Sequence, residues 1–338
     1  MTVSDEPPTT AKASPNSAAL PPCVVITGPT GAGKTRIALS LARALPVYLV
    51  SIDSVQVYRG MDIGSAKLSS EMQRRFPHAL IDIRDPDQAY SVADFLDDAR
   101  AEIKKARDSG KLPVLVGGTT LYLRALRYGL DPMPGADPEI RNSIEREAES
   151  LGWAKLHRRL AAIDPIAAAG IRVNDPQRIQ RALEIYRTSG RPASSFWSGR
   201  GEDRMIGSLM IVVCPADRGH LHHNINTRWQ AMLADGLVDE TRDLLTSQAD
   251  KSDLGPLRSV GYRQVVDFLR GEIDRPTLAA RGAAASRQLA KRQITALRQW
   301  TGGFWYDPLN NRTINRIIRK ASLLTTRKTG LPADFIDD

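Results

Sequence analysis

The chain has 338 residues, 42% hydrophobic and 25% charged, the proportions of a globular protein long enough for about two domains. No apolar run approaches the ~18 residues a membrane helix requires. Two cysteines, Cys23 and Cys214, exclude a disulfide scaffold and read as buried reduced thiols. The net charge of +9 and a pI near 9.7 suggest a polyanionic partner, although a sum says nothing about placement.

Residues 1–22 are rich in Pro, Ser, Thr and Ala, cannot bury enough surface to offset ordering, and are expected to be a disordered tail. They carry no apolar h-region, and they contain Asp5 and Glu6 but no Arg, so neither a secretory nor a mitochondrial signal is read there. A cytoplasmic location is expected. Order is expected from Cys23. CVVIT reads as a buried strand, RIALSLARAL as an amphipathic helix, VYLVSI as a second strand ending at Asp53, residues 92–109 as a helix and PVLVGG as a third strand. This alternation is that of a parallel sheet with crossover helices. DPMPGADP, residues 131–138, holds three prolines and a glycine and reads as a hinge. Residues 138–190 read as helices only, LMIVVC as a returning strand, and the chain after Cys214 as helical to about Trp300.

The strongest motif is GPTGAGKT: Gly28, Pro29, Thr30, Gly31, Ala32, Gly33, Lys34 and Thr35. It fits G-x-x-x-x-G-K-[ST] between a strand and a helix. Its glycines let backbone N–H groups surround phosphate oxygens, Lys34 adds a point charge, and the Thr35 hydroxyl can ligate Mg²⁺. The helix N-terminus that follows adds its positive dipole end. The motif specifies a bound di- or triphosphate, not a reaction. The fold class that follows is α/β, a P-loop NTPase-like parallel sheet core (23–130 and 200–311, helical in its C-terminal part). An all-helical insertion (131–199) interrupts that core, and a basic tail (312–338) follows it.

DSVQVY, residues 53–58, ends the second strand. Ligands of open α/β sheets bind beyond the carboxyl ends of strands, so Asp53 should share the crevice of the phosphate loop. Two roles suit it: a carboxylate linked to Mg²⁺, as in nucleotide hydrolases, or a general base for a bound acceptor. Gln56 offers a donor and an acceptor to a base edge. After the third strand, Gly117 and Gly118 permit close backbone approach and Thr119 lies at the crevice mouth. In NDPQRIQRALEIYR, Asn174 or Asp175 caps a helix beginning at Pro176. Its apolar face is Ile179, Ala182, Leu183 and Tyr186, with Gln177, Arg178 and Arg181 directed away from it.

The charge is unevenly spread. Nine basic residues and three acids lie between Arg258 and Trp300, and six basic residues without an acid between Asn311 and Lys328. A solvated face and a phosphate-backbone surface are both open on that pattern. In RQLAKRQITALRQW, Leu289, Ala296, Leu297 and Trp300 can pack inward while Arg287, Lys291 and Arg298 line another side.

Together GPTGAGKT, DSVQVYRGMDIGSAK, PHALIDI, VGGTTLYLRAL, DPEIR, NDPQRIQRALEIY, TRWQAML, SVGYRQ and RQLAKRQIT resemble, in family order, the tRNA dimethylallyltransferases (tRNA isopentenyltransferases). The resemblance spans roughly residues 24–300 and departs at Ala296, where the family usually has Trp. It implies transfer of a dimethylallyl group from dimethylallyl diphosphate to N6 of adenine 37 beside the tRNA anticodon, with Mg²⁺ as cofactor. The phosphate loop would then cradle the prenyl donor, although such proteins are often labelled ATP-binding. Lys34, Thr35 with Mg²⁺, and Arg228 are implied to stabilise the leaving diphosphate, and Asp53 to accept the N6 proton. Contacts to the tRNA anticodon stem-loop are implied for Asp53, Ser54, Val55, Gln56, Thr119, Arg141, Gln177, Arg178, Ile179, Gln180 and Arg181. The same is implied for Arg258, Gly261, Tyr262, Arg263, Lys291, Arg292 and Arg298. A monomer with no membrane partner is expected. A small-molecule P-loop kinase and an isopentenyltransferase acting on free adenine nucleotides are the alternatives.

Overall fold

In a computed structural model of the chain, residues 19–199, 201–247, 255–310 and 312–326 are described. The chain divides into two compact units, one of Met1–Arg127 with Asp203–Asp338, the other of Tyr128–Glu202. The expected insertion, 131–199, lies inside the second unit, which extends three residues further at each end.

The first unit runs β1 (Val24–Thr27), α1 (Lys34–Ala44), β2 (Val47–Ile52), α2 (Ser70–Arg75), β3 (His78–Ala79), α3 (Val92–Asp108), β4 (Leu112–Gly117) and α4 (Thr120–Tyr128). The second holds α5 (Pro138–Leu151), α6 (Trp153–Ile163), α7 (Pro165–Gly170) and α8 (Pro176–Ser189). The first then resumes with β5 (Leu209–Val213), α9 (Arg218–Ala234), α10 (Leu237–Ser247), α11 (Tyr262–Leu269), α12 (Arg275–Arg298), β6 (Gly303–Tyr306) and α13 (Thr313–Thr326).

The six strands form one sheet in the order β3-β2-β4-β1-β5-β6, every neighbouring pair parallel. The α/β expectation therefore holds. The central strands read as unbroken apolar runs because helices cover both faces. Strand period two sends Val24 and Ile26 to one face, where Ile37 and Leu41 of α1 and Ile317 and Leu324 of α13 cover them. Val25 goes to the other, beneath Phe95, Leu96 and Ile103 of α3 and Leu123 and Leu126 of α4. A third cluster joins Val57, Tyr58 and Met61 to Trp229, Leu237, Tyr262 and Leu278 of the C-terminal helices. With β4 between β2 and β1, the loops leaving these three adjacent parallel strands open at the same edge of the sheet.

Two boundaries differ from the sequence reading. Residues 1–18 lie outside the described residues, but Leu20, counted in the tail, is buried in the α3–α4 cluster, and its N–H donates to Arg204 O at 2.7 Å. Residues 312–338 were expected to be a basic tail. Thr313–Thr326 instead form α13, because Ile314, Ile317, Ala321 and Leu324 recur at helical spacing and pack on the sheet core.

In the second unit, Asp137 caps α5 and Asp175, of the two candidates, caps α8, each ahead of a proline at the first helical position. Its core gathers Ile144, Leu156, Leu160, Ile179 and Leu183. Glu184 is fully buried there. Its carboxylate accepts from Arg141 Nε at 2.8 Å, Arg181 Nη1 at 2.7 Å and the Asp137 N–H at 2.8 Å. Burial alone would raise this carboxyl, but the hydrogen bonds from Arg141 and Arg181 outweigh it and hold the pKa below the usual glutamate value.

Candidate active site

The phosphate loop connects β1 to α1. Gly28 has φ +146°, and a Cβ there would lie 2.0 Å from Val213 O on β5, so only glycine can begin the loop. Gly33 caps α1 in the left-handed conformation and supplies no side-chain hydrogen bond to the first-turn N–H groups. An uncapped helix start of this kind is suited to an anion. Lys34 Nζ donates to Gly28 O at 3.0 Å and Pro29 O at 2.8 Å. Burial, then the charge of Arg228, lower its pKa to about 8, with Asp53 opposing. Arg228, on α9, donates through Nη2 to Thr30 Oγ1. Its own pKa is lowered by burial, against the attraction of Asp53.

Asp53 follows β2. Its Oδ1 accepts from the N–H groups of Val55 at 2.9 Å and Gln56 at 3.2 Å, an Asx-type turn that fixes the carboxylate plane. Among the described residues no protein donor engages Oδ2. Burial raises the Asp53 pKa, while those two N–H groups and the charges of Lys34 and Arg228 lower it; the rise wins. Asp53, Lys34 and Arg228 thus act on one another through their charges.

Gln56 differs from expectation. Its Oε1 accepts from Ser51 Oγ at 3.3 Å and its Nε2 donates to Ser65 O at 3.1 Å, so the amide already braces the following loop. Thr119 Oγ1 accepts from the Ser54 N–H at 3.2 Å, linking the loops after β4 and β2. Glu240 of α10 braces the same side. It accepts from the N–H groups of Asp62, Ile63 and Gly64 at 3.0, 2.7 and 3.1 Å and from Tyr262 Oη at 2.6 Å.

Sequence reasoning missed Gln293. It sits in α12 within a stretch singled out for its basic residues, yet it is buried, with Oε1 accepting from Thr30 N–H and Nε2 donating to Gly118 O, both at 2.9 Å. Only its place just after Lys291 and Arg292, before Ile294 and one turn before the apolar Leu297, hinted at a different face.

The expected tRNA contacts separate by exposure. Ser54, Gln177, Arg178, Arg258, Arg263, Lys291, Arg292 and Arg298 are exposed. Ile179 and Tyr262 are fully buried, each in its own core, which withdraws their side chains from any surface contact, and Gly261 is buried as well. Val55 is half-buried. Arg181 was expected to point away from the apolar face of α8. It instead folds onto Glu184 and donates to Pro134 O at 2.6 Å, because Glu184 lies one turn along the helix. Arg141 is held by the same carboxylate, and Gln180 Nε2 donates to Glu145 at 3.0 Å.

Among the described residues, no group of three or more His, Cys, Asp or Glu could hold a metal ion. The exposed Thr35 side chain on the first turn of α1 can offer one ligand. That donor set suits a cation completing its shell with phosphate oxygens and water, as Mg²⁺ does, and does not suit an all-protein cage. No helix among these residues is long and apolar enough to cross a membrane.

Residues 56–300 match the family described as IPP transferase. The tRNA isopentenylpyrophosphate transferase of Bacillus halodurans is 35% identical, with 91% of this chain and 97% of that chain covered and a TM-score of 0.65. The tRNA delta(2)-isopentenylpyrophosphate transferase of Staphylococcus epidermidis is 30% identical, covering 91% and 100%, at a TM-score of 0.63. A eukaryotic dimethylallyltransferase acting on tRNA shares the fold at 22% identity, covering 91% and 80%, at a TM-score of 0.71. The match to the family runs from just past Asp53 to just past α12, and two solved relatives at 35% and 30% identity each cover 91% of the chain: the chain belongs to the IPP transferase family.

Proposed function

We propose that this protein transfers a dimethylallyl group from dimethylallyl diphosphate to N6 of adenine 37 in the tRNA anticodon loop, giving N6-isopentenyladenosine. The observation that carries the reading is the convergence of Lys34, Arg228 and Asp53 beyond the ends of β1 and β2, two cations against one braced carboxylate. N6 attacks the allylic carbon, the carbon–oxygen bond to the diphosphate breaks, and the departing diphosphate takes both bonding electrons. Lys34 and Arg228 stabilise the charge that develops on it. Oδ2 of Asp53 takes the proton lost by N6. Burial raises the basicity of this carboxylate, and a placed base of this kind is worth roughly 10²–10⁴-fold. The adenine must leave the anticodon stack to reach the crevice. Thr35 would hold Mg²⁺ together with donor phosphate oxygens, and the cation would neutralise diphosphate charge.

The test is incubation of the purified protein with unmodified tRNA, dimethylallyl diphosphate and Mg²⁺, followed by nucleoside mass analysis and mapping of the modified position. One isopentenyl group on adenosine 37 is the expected product. Prenylation of AMP in preference to tRNA would favour the free-nucleotide reaction. Phosphoryl transfer from ATP without prenyl transfer would favour a kinase.

A further inference from the structure

Gln293 costs free energy where it is. A primary amide in the interior is tolerated only when its carbonyl and amino ends both find partners, and here they do so on two different loops. Thr30 N–H can only donate and Gly118 C=O can only accept, so their chemistry fixes which end of the amide faces which. Thr30 belongs to the phosphate loop, where its hydroxyl also receives Arg228. Gly118 precedes Thr119, whose hydroxyl receives the Ser54 N–H next to Asp53. A continuous hydrogen-bonded path therefore runs from the diphosphate side to the carboxylate side, with one side chain as its centre. Gly118 leaves that side chain its room, because a Cβ there would lie 2.5 Å from Gln293 Nε2.

We propose that Gln293 is a positioning residue that sets the spacing between the loop holding the leaving diphosphate and the loop holding Asp53. The proposal rests on the prenyl-transfer reading above. A side chain that only filled space could be replaced by methionine, which has nearly its length and volume. Gln293 instead has to present an acceptor and a donor about one amide apart. Glutamate keeps the acceptor for Thr30 N–H but sets a second oxygen against Gly118 O. Reacting atoms misplaced by even 1 Å lose about 10²-fold in rate, so the consequence should fall on turnover and not on either substrate's binding.

Gln293→Met, Gln293→Glu and Gly118→Ala are compared with the wild type in the tRNA prenylation assay, with hydrogen exchange at the Thr30 amide as the second measurement. In each variant kcat should fall at least ~10-fold while both KM values stay within ~3-fold. Thr30 exchange should accelerate in Gln293→Met and stay slow in Gln293→Glu. Adding Gly118→Ala to Gln293→Met should lower kcat little further, since both act through one contact. A Gln293→Met kcat within 2-fold of wild type, a loss confined to KM, or unchanged Thr30 exchange in that variant overturns the proposal. If Gln293→Met does not fold, the same kcat criterion passes to the other two variants. Absence of tRNA prenylation by the wild type refutes the function itself; prenylation by the wild type with normal variants refutes only the role of Gln293.

Discussion

Lys34 provides the sharpest test of the phosphate loop, because its charge state in the free protein is set by the fold. Burial and Arg228 bring its pKa down to about 8, although Asp53 pulls the other way. A diphosphate seated against Nζ stabilises the protonated amine and returns its pKa toward or above the ordinary lysine value. Binding must then take up a proton wherever the free protein has lost one. The free amine is about nine-tenths protonated at pH 7 and about one-tenth at pH 9. Since the anion favours the protonated form, affinity falls as pH rises, by about tenfold over that interval. Dimethylallyl diphosphate binding can be followed by titration calorimetry at pH 7, 8 and 9 in two buffers of different ionisation enthalpy. Proton uptake should grow from about 0.1 to about 0.9 per site. Lys34→Arg keeps its charge throughout and should bind without uptake. Constant affinity from pH 7 to 9, or equal uptake in Lys34→Arg, would refute the reasoning.

Three further outcomes follow from named contacts. Asp53→Asn should bind tRNA and donor nearly normally while turnover falls roughly 10²-fold or more, and excess Mg²⁺ should not restore it; restoration would make Asp53 a metal-site residue. The acid limb of the wild-type rate profile should lie above the ordinary aspartate range, since the base works deprotonated and burial raises its pKa; a limb at or below that range counts against it. Glu184→Ala strands two arginines and the Asp137 N–H. Breaking a buried ion pair costs ~3–5 kcal/mol, reduced here to about 2–3 because both arginines reach water; a urea-denaturation loss under about 0.5 kcal/mol would show the carboxylate to be dispensable. Arg178→Ala should lower the log–log salt slope of tRNA binding by about one unit without affecting stability, and an unchanged slope removes Arg178 from the phosphate contacts.

The parts of the fold that were legible in sequence are those whose cause is local. The phosphate loop is legible because glycine spacing dictates a backbone nest, and β1, β2, β4 and β5 because strands covered on both faces are continuous apolar runs. β6 was not, since GFWY is four residues long at a sheet edge and leaves Trp305 exposed. α13 was obscured by its own charge: Arg312, Arg316, Arg319 and Lys320 dominate the composition, while Ile314, Ile317, Ala321 and Leu324 carry the packing period. Gln293 and Glu184 were illegible for a different reason. Gln293 is buried against partners 263 and 175 positions away, and Glu184 reaches back 47 positions to the Asp137 N–H, so no window of sequence contains the reason for either placement.

The same distinction changes how the positive charge must be counted. A net of +9 treats every basic residue as available to a polyanion. Lys67, with 1% of its side chain exposed, is consumed by Asp62, Asp82 and Tyr58 O. Arg127 is nearly as buried and pairs with Asp203. Arg141 and Arg181 are shared with Glu184, and Arg228 faces the phosphate loop. What is left for an outside phosphate backbone is the exposed set, foremost Arg178, Arg263, Lys291, Arg292 and Arg298. The two groups should also fail differently when mutated. Exposed cations release counterions on binding, so their loss appears in the salt dependence of association. Cations held by buried carboxylates or by the phosphate loop contribute through fixed geometry, so their loss appears in stability or turnover at any salt concentration.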